Sequence, residues 1–249
     1  MSESALFYAL AVPAVILLGL SKGGFAGLGA LSLPLMALAI DPVRAAAILL
    51  PILIAQDAVG VWAFRKSWSG FVLAWMLPGS LVGIALAWGF AAHVSEGGVL
   101  GMVGAISIVF GAFRLWVERG HRIAAPARSP GWVGSLFGVA SGFTSQIAHA
   151  GTPPFQIWVL PRRLDRDTLV GTTALFFAAT NWLKVPAYWA LGQFTRANLI
   201  AAASLLPVAI LSTLAGVWLV RRVSAERFYD AIYVLMIAVG AKLAWDAFG

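Results

Sequence analysis

Six apolar stretches, residues 43–64, 70–92, 98–117, 168–190, 197–220 and 228–248, dominate this sequence. Each has the length, about 20 residues, of a helix that crosses a hydrocarbon core roughly 30 Å thick. Composition agrees with that reading. Of 249 residues, 61% are hydrophobic and 11% charged, against about 45–50% apolar and about 25% charged in soluble domains. An all-α polytopic membrane protein is expected, with the lipid bilayer as its surroundings.

The same residues exclude other classes. Without cysteine there is no disulfide scaffold, thiolate nucleophile or zinc–sulfur site. His93, His121 and His149 do not cluster, so neither a metal nor a cofactor is expected. The net charge is +7, but the basic residues fall near span ends, where they set membrane orientation. Nucleic acid is therefore not an expected partner. Residues 1–4 carry no Lys or Arg, so the first apolar segment lacks the basic region of a cleavable signal and is expected to remain a span.

From Leu6 to Ile40 the apolar run is too long for one straight span. It is interrupted by Ser21-Lys22-Gly23-Gly24, then by Gly27 and Gly29. Glycine permits unwound backbone, and a lysine at that depth must be solvated or paired. Two helices, about 5–20 and 24–40, are expected to meet there at a tight turn. Residues 132–160 repeat the plan, with a polar break at Thr144-Ser145-Gln146, then His149, Gly151, Thr152 and Pro153-Pro154. Prolines suit the first turn of a helix, where a missing N–H is tolerated.

The two halves match in order. Gly19, Gly23 and Pro34 correspond to Gly138, Gly142 and Pro153, and Asp41 to Asp165. Pro78, Val94-Ser95, Gly111 and Trp116 correspond to Pro207, Val223-Ser224, Gly240 and Trp245. The sequence reads as a tandem duplication: a first membrane repeat over 1–118, a linker over 119–130 and a second repeat over 131–249.

Charge decides how the repeats are arranged. If residues 5–40 and 132–160 each fold back as a hairpin, one side of the membrane receives twelve basic residues. These are Arg65, Lys66, Arg114, Arg119, Arg122, Arg128, Arg162, Arg163, Arg166, Arg221, Arg222 and Arg227. The other side receives Arg44, Arg196 and Lys242. That asymmetry fits the positive-inside rule. Each repeat then has an odd five segments, a broken-helix hairpin plus three spanning helices. The second repeat is inverted, the linker is cytoplasmic and both termini are periplasmic.

Inverted repeats with broken helices place a site between them. The turns carry Ser21, Lys22, Gly23, Gly24 and Phe25 on one side. On the other they carry Ser141, Thr144, Ser145, Gln146, His149, Gly151 and Thr152. Helix N-termini at Gly23–Phe25 and Gly151–Pro153, with Lys22 and neutral donors, favour a small oxyanion. Each residue also has a plain reading. Gly27 and Gly29 pack helices, Ser21 and Ser141 bond one turn back, Lys22 snorkels, and His149 fills space. Asp57 and Lys184 are ionisable groups inside spans, candidates for coupling or an ion pair, with Lys22 the partner expected for Asp57. Ten tryptophans read as an interfacial belt, Trp182 being the expected exception. A Ser–His hydrolase using Ser141 or Ser145 with His149 is a remote alternative, and no enzyme is expected.

At the breaks the wording becomes specific. Gly19-Leu-Ser-Lys-Gly-Gly-Phe-Ala-Gly-Leu-Gly-Ala, then Leu33-Pro34-Leu-Met, resembles the first glycine-rich signature of the TauE/SafE sulfite exporter family. Ser141-Gly-Phe-Thr-Ser-Gln-Ile-Ala-His-Ala-Gly-Thr-Pro-Pro, ending at Leu160-Pro161, resembles the second. Ala26 and Thr152 stand where members often have a second glycine. The resemblance implies an inner-membrane carrier of sulfite or organosulfonates such as sulfoacetate, working by alternating access around the two turns; a homodimer is a further expectation. An anion channel, or a permease for another small organic anion, is the alternative.

Overall fold

The computed structural model describes residues 3–25, 27–91, 93–120, 129–219, 222 and 226–248. Most of the linker expected at 119–130, His121 and the Val223-Ser224 pair lie outside these residues. In the described residues the chain forms ten α-helices. The first five are α1 (Glu3–Gly23), α2 (Ser32–Ala37), α3 (Pro42–Phe64), α4 (Gly70–Ala91) and α5 (Glu96–Glu118). The second five are α6 (Gly131–Ala148), α7 (Thr152–Val159), α8 (Arg166–Ala190), α9 (Arg196–Leu219) and α10 (Glu226–Phe248). Short 3-10 turns precede α2 at Leu28–Leu31 and follow α7 at Leu160–Arg162. The protein is a helical polytopic membrane protein. Five helices, including α3, α4 and α9, are long and apolar enough to cross a bilayer. The equally long α8 is the most polar of the long helices, because it carries Thr173, Thr180, Asn181 and Lys184.

The first hairpin breaks later than expected. Ser21 and Lys22 lie in the last turn of α1, since neither residue obliges a helix to stop. Gly24 and Gly27, with φ of 133° and 107°, do the breaking. Gly24 N–H bonds to Ser21 O and Phe25 N–H to Leu20 O, the paired bonds that close a helix C-terminus. The N-terminal donors expected at Gly23–Phe25 are therefore used up. The returning arm is only the 3-10 turn and α2, not a helix over 24–40.

Helices pair across the halves in a reciprocal way. The α1 helix packs on α9 and α6 packs on α4, while α3 faces α8 and α5 faces α10. Matched residues stand on corresponding elements. A β-carbon at Gly23 would run into the Gly216 backbone of α9, and one at Gly142 into Ser80 of α4. Small residues let such backbones approach closely. Asp41 caps α3 by accepting from Arg44 N–H at 2.9 Å, and Asp165 caps α8 by accepting from Thr168 N–H at 3.0 Å. That bond holds the exposed Asp165 carboxyl below its usual range.

Apolar side chains cover the outside as well as the core. Trp62, Trp189, Trp218 and Trp245 are each more than half exposed. So is Trp182, at 62%, although it lies well inside α8 rather than at its end. The tryptophan that turns inward is Trp158, buried beneath the stacked guanidinium of Arg162.

Candidate functional site

A cavity of about 90 Å³ lies among the hairpins, α3 and α8. One water occupies about 30 Å³ of liquid, so a compact oxyanion can be housed. Ser21, Lys22 and Gly24 enter from the end of α1, and Ser145 and His149 from the end of α6. Thr152, Gln156 and Leu160 follow one face of α7, four residues apart. The α8 helix lines the cavity from Leu169 and Val170 to Asn181 and Lys184, about 20 Å at 1.5 Å per residue. The Lys184 end is polar. The opposite end, at Leu160, Leu169 and Val170, is apolar and adjoins the basic segment Arg162–Arg166.

Two cations reach this space and they are treated differently. Lys22 Nζ donates to Asp57 Oδ1 at 2.5 Å, and its ammonium lies 5.3 Å from the Phe177 ring centroid. Asn181 Nδ2 donates to the other oxygen, Asp57 Oδ2, at 2.6 Å. Asp57 is buried and does not itself line the cavity. It acts as a bracket that fixes one cation and one amide at the wall.

Lys184 is fully buried and has no carboxylate within ion-pair distance among the described residues. Its Nζ donates to His149 Nδ1 at 2.8 Å and to Ser145 O and Oγ, each at 3.3 Å. His149 Nε2 lies 3.0 Å from Ala46 O, a group that only accepts. The ring proton therefore belongs on Nε2, and Nδ1 receives Lys184. His149 holds this position at φ 51°, in the left-handed region, a conformation that costs a non-glycine residue about 1–2 kcal/mol. Ser145 Oγ accepts from Lys184, so its own hydrogen is left for the cavity. Counted at their formal charges, with His149 neutral, Lys22 and Lys184 against Asp57 leave a surplus of one positive charge.

Of the expected site residues, Ser21, Lys22, Gly24, Ser145, His149, Thr152 and Lys184 come together here. Others do not. Gly23 packs on Gly216, and Phe25 is buried in the apolar core. Ser141 Oγ donates to Gly151 O at 2.7 Å, tying the arms of the second hairpin instead of facing the cavity. Gly151 is itself held by that contact, because a β-carbon there would press on the Ser141 carbonyl. Thr144 Oγ1 bonds back to Ala140 O. Gln146 does not line the cavity, and its Oε1 is buried with no hydrogen-bond partner among the described residues. Pro153 and Pro154 lack N–H groups, so the α7 N-terminus supplies few backbone donors.

The structure adds Gln156, Thr173 and Asn181 to the cavity wall. Asn181 was findable: Asp41 and Asp165 are 124 positions apart, and so are Asp57 and Asn181. Lys184 instead falls opposite Gly60, not opposite Asp57. Gln156, one helical turn beyond Thr152, had a weaker signal. Both ring nitrogens of His149 are engaged, so neither faces Ser141 or Ser145 as a general base would.

Residues 11–243 match a family model described as "Sulfite exporter TauE/SafE". No curated protein and no solved structure matches the chain.

Proposed function

The chain belongs to the TauE/SafE sulfite exporter family, and we propose that it moves a small sulfur oxyanion, hydrogen sulfite or an organosulfonate, through this cavity. The observation that carries the reading is Lys184, a buried cation whose bonded partners are all neutral. A buried charge without a counter-ion is costly, and an anion in the cavity supplies one. Ser145 and Thr152 offer hydroxyl donors, and Lys22 adds positive potential from the opposite hairpin.

We read the site as the midpoint of an alternating-access cycle between two inverted repeats. The reciprocal pairing of α1 with α9 and α6 with α4 supports that symmetry. It also implies that each moving body combines one hairpin with helices of the other half. The apolar end of the cavity, next to Arg162, Arg163 and Arg166, would face the cytoplasm of an inner membrane.

The test is transport by the purified protein in liposomes, with sulfite and sulfoacetate as substrates. Saturable uptake and counterflow are expected for both. Flux that rises linearly with concentration and shows no counterflow would indicate a channel, and absence of anion flux would overturn the reading.

A further inference from the structure

Arg114 belongs by sequence among the basic loop residues, yet it lies inside α5 and only 9% of its surface is exposed. Its Nε donates to Tyr233 Oη at 3.0 Å and its Nη1 donates to Gln156 Oε1 at 3.1 Å. A guanidinium has donors and no acceptor. The bond therefore decides which way the Gln156 amide is turned: oxygen to Arg114, nitrogen away from it. Gln156 is itself nine-tenths buried and lines the cavity. Its Nε2 has no hydrogen-bond acceptor among the described residues and is not a fully enclosed atom, leaving two unused N–H donors at the cavity wall.

We propose that Gln156 is a specificity-determining residue that donates to the second polar group of an organosulfonate, and that Arg114 is the positioning residue that keeps its N–H donors turned into the cavity. This rests on the anion-transport reading above. Gln156 stands one turn along α7 from Thr152, on the side towards Leu160. A sulfonate held by Lys184 and Ser145 would extend its organic end along that face. The sulfonate takes up the cavity's one surplus positive charge, so a carboxylate there has no cation left to pair with and depends on hydrogen-bond donors. A primary amide supplies those donors, whereas Leu160 beyond it supplies none. Sulfite has no second group to offer and would use Gln156 less.

The experiment is calorimetric titration of the full chain with sulfite and with sulfoacetate, comparing wild type, Gln156→Met and Arg114→Met. A hydrogen bond to a charged group is worth enough to change affinity about tenfold. Gln156→Met should therefore lower sulfoacetate affinity about tenfold more than sulfite affinity. Arg114→Met, which frees the amide to rotate, should move the ratio in the same direction. A purely structural role for either residue would weaken both anions together, and an unchanged ratio in Gln156→Met overturns the proposal even where Arg114→Met fails to fold. A wild-type chain that binds neither anion overturns the transport reading and this inference with it. One that binds sulfite alone overturns only the inference.

Discussion

Asp57 and Asn181 meet in a 2.6 Å hydrogen bond between α3 and α8, and they stand 124 positions apart, the same separation as the capping residues Asp41 and Asp165. The bond thus joins two residues that are paired with one another by the spacing of the sequence matches. The neighbouring residues obey the same rule. Gln56 reaches Ala209 O of α9 at 3.3 Å, and Thr180, 124 positions later, meets Ser80 of α4 at 3.1 Å. The symmetry stops at the charges: Asp57 faces an amide, and Lys184 has no equivalent lysine in the first half. The sequence matches therefore extend to the helix contacts but not to the charges of the site.

Replacing Asp57 by Asn should change both stability and selectivity. Lys22 would lose its only ion-pair partner among the described residues, and breaking a buried pair costs about 3–5 kcal/mol. Because the Lys22 side chain is 14% exposed, the lower end is expected. The cavity would also gain a unit of positive charge, so the ratio of sulfate to sulfite affinity should rise. Thermal unfolding in detergent reads the first effect and competition binding the second. Unchanged discrimination between the two anions would count against a site balanced by Asp57.

Lys184→Met separates binding from folding. Removing a buried cation that has no carboxylate partner relieves a desolvation cost, which offsets its lost hydrogen bonds to His149 and Ser145. The variant should melt no lower than wild type, yet lose sulfite binding about tenfold or more. A variant that melts normally and binds normally would remove Lys184 from the site.

Two glycines give a structural control. Gly142 faces the Ser80 carbonyl with no room for a β-carbon, whereas Gly89 has no atom near that position. Gly142→Ala should lower stability by about 1–3 kcal/mol through overpacking. Gly89→Ala, in the same kind of helix, should be neutral or stabilising by up to about 1 kcal/mol. Equal melting temperatures for the two variants would contradict the close approach of α4 and α6.

The proposed orientation rests on the basic residues near Arg65, Arg119 and Arg162, which share one side if both hairpins fold back before crossing. A reporter fused after Gly249 should be active outside the cytoplasm, and one inserted at Arg163 inside it. A cytoplasmic signal from the C-terminal fusion would reverse the assignment or break the five-plus-five count.

Much of the frame was legible because length alone marks a spanning helix, and α3, α4, α5, α8, α9 and α10 start and stop within a few residues of the apolar runs. The direction of buried polar side chains was not. In a membrane helix both faces are apolar, so periodicity does not tell which side Gln146 or Gln156 occupies. The first was expected in the site and does not line it; the second does. Arg114 misled for a related reason, since a basic residue near a span end resembles an interface anchor until its neighbours Tyr233 and Gln156 are known. The break after Lys22 was displaced because the glycines, not the lysine, carry the positive φ values.

Selectivity among small anions is the sharpest consequence of the charge arrangement. Hydrogen sulfite and a simple sulfonate each bring one negative charge to a cavity with one surplus positive charge. Sulfate brings two, and among the described residues no third cation lines the cavity to match the second. Taurine presents the same sulfonate but adds an ammonium, which would enter beside Lys22 and Lys184. Its natural acceptor, Asp57, already gives one oxygen to Lys22 and the other to Asn181. An unpaired buried charge costs several kcal/mol, so taurine and sulfate should each bind at least about tenfold more weakly than sulfite. Sulfoacetate should stay close to sulfite only to the extent that Gln156 and Thr152 satisfy its carboxylate. Calorimetry on one protein preparation at one salt concentration gives the order directly. Taurine binding as tightly as sulfoacetate would mean that the cavity does not read charge through Lys22, Asp57 and Lys184.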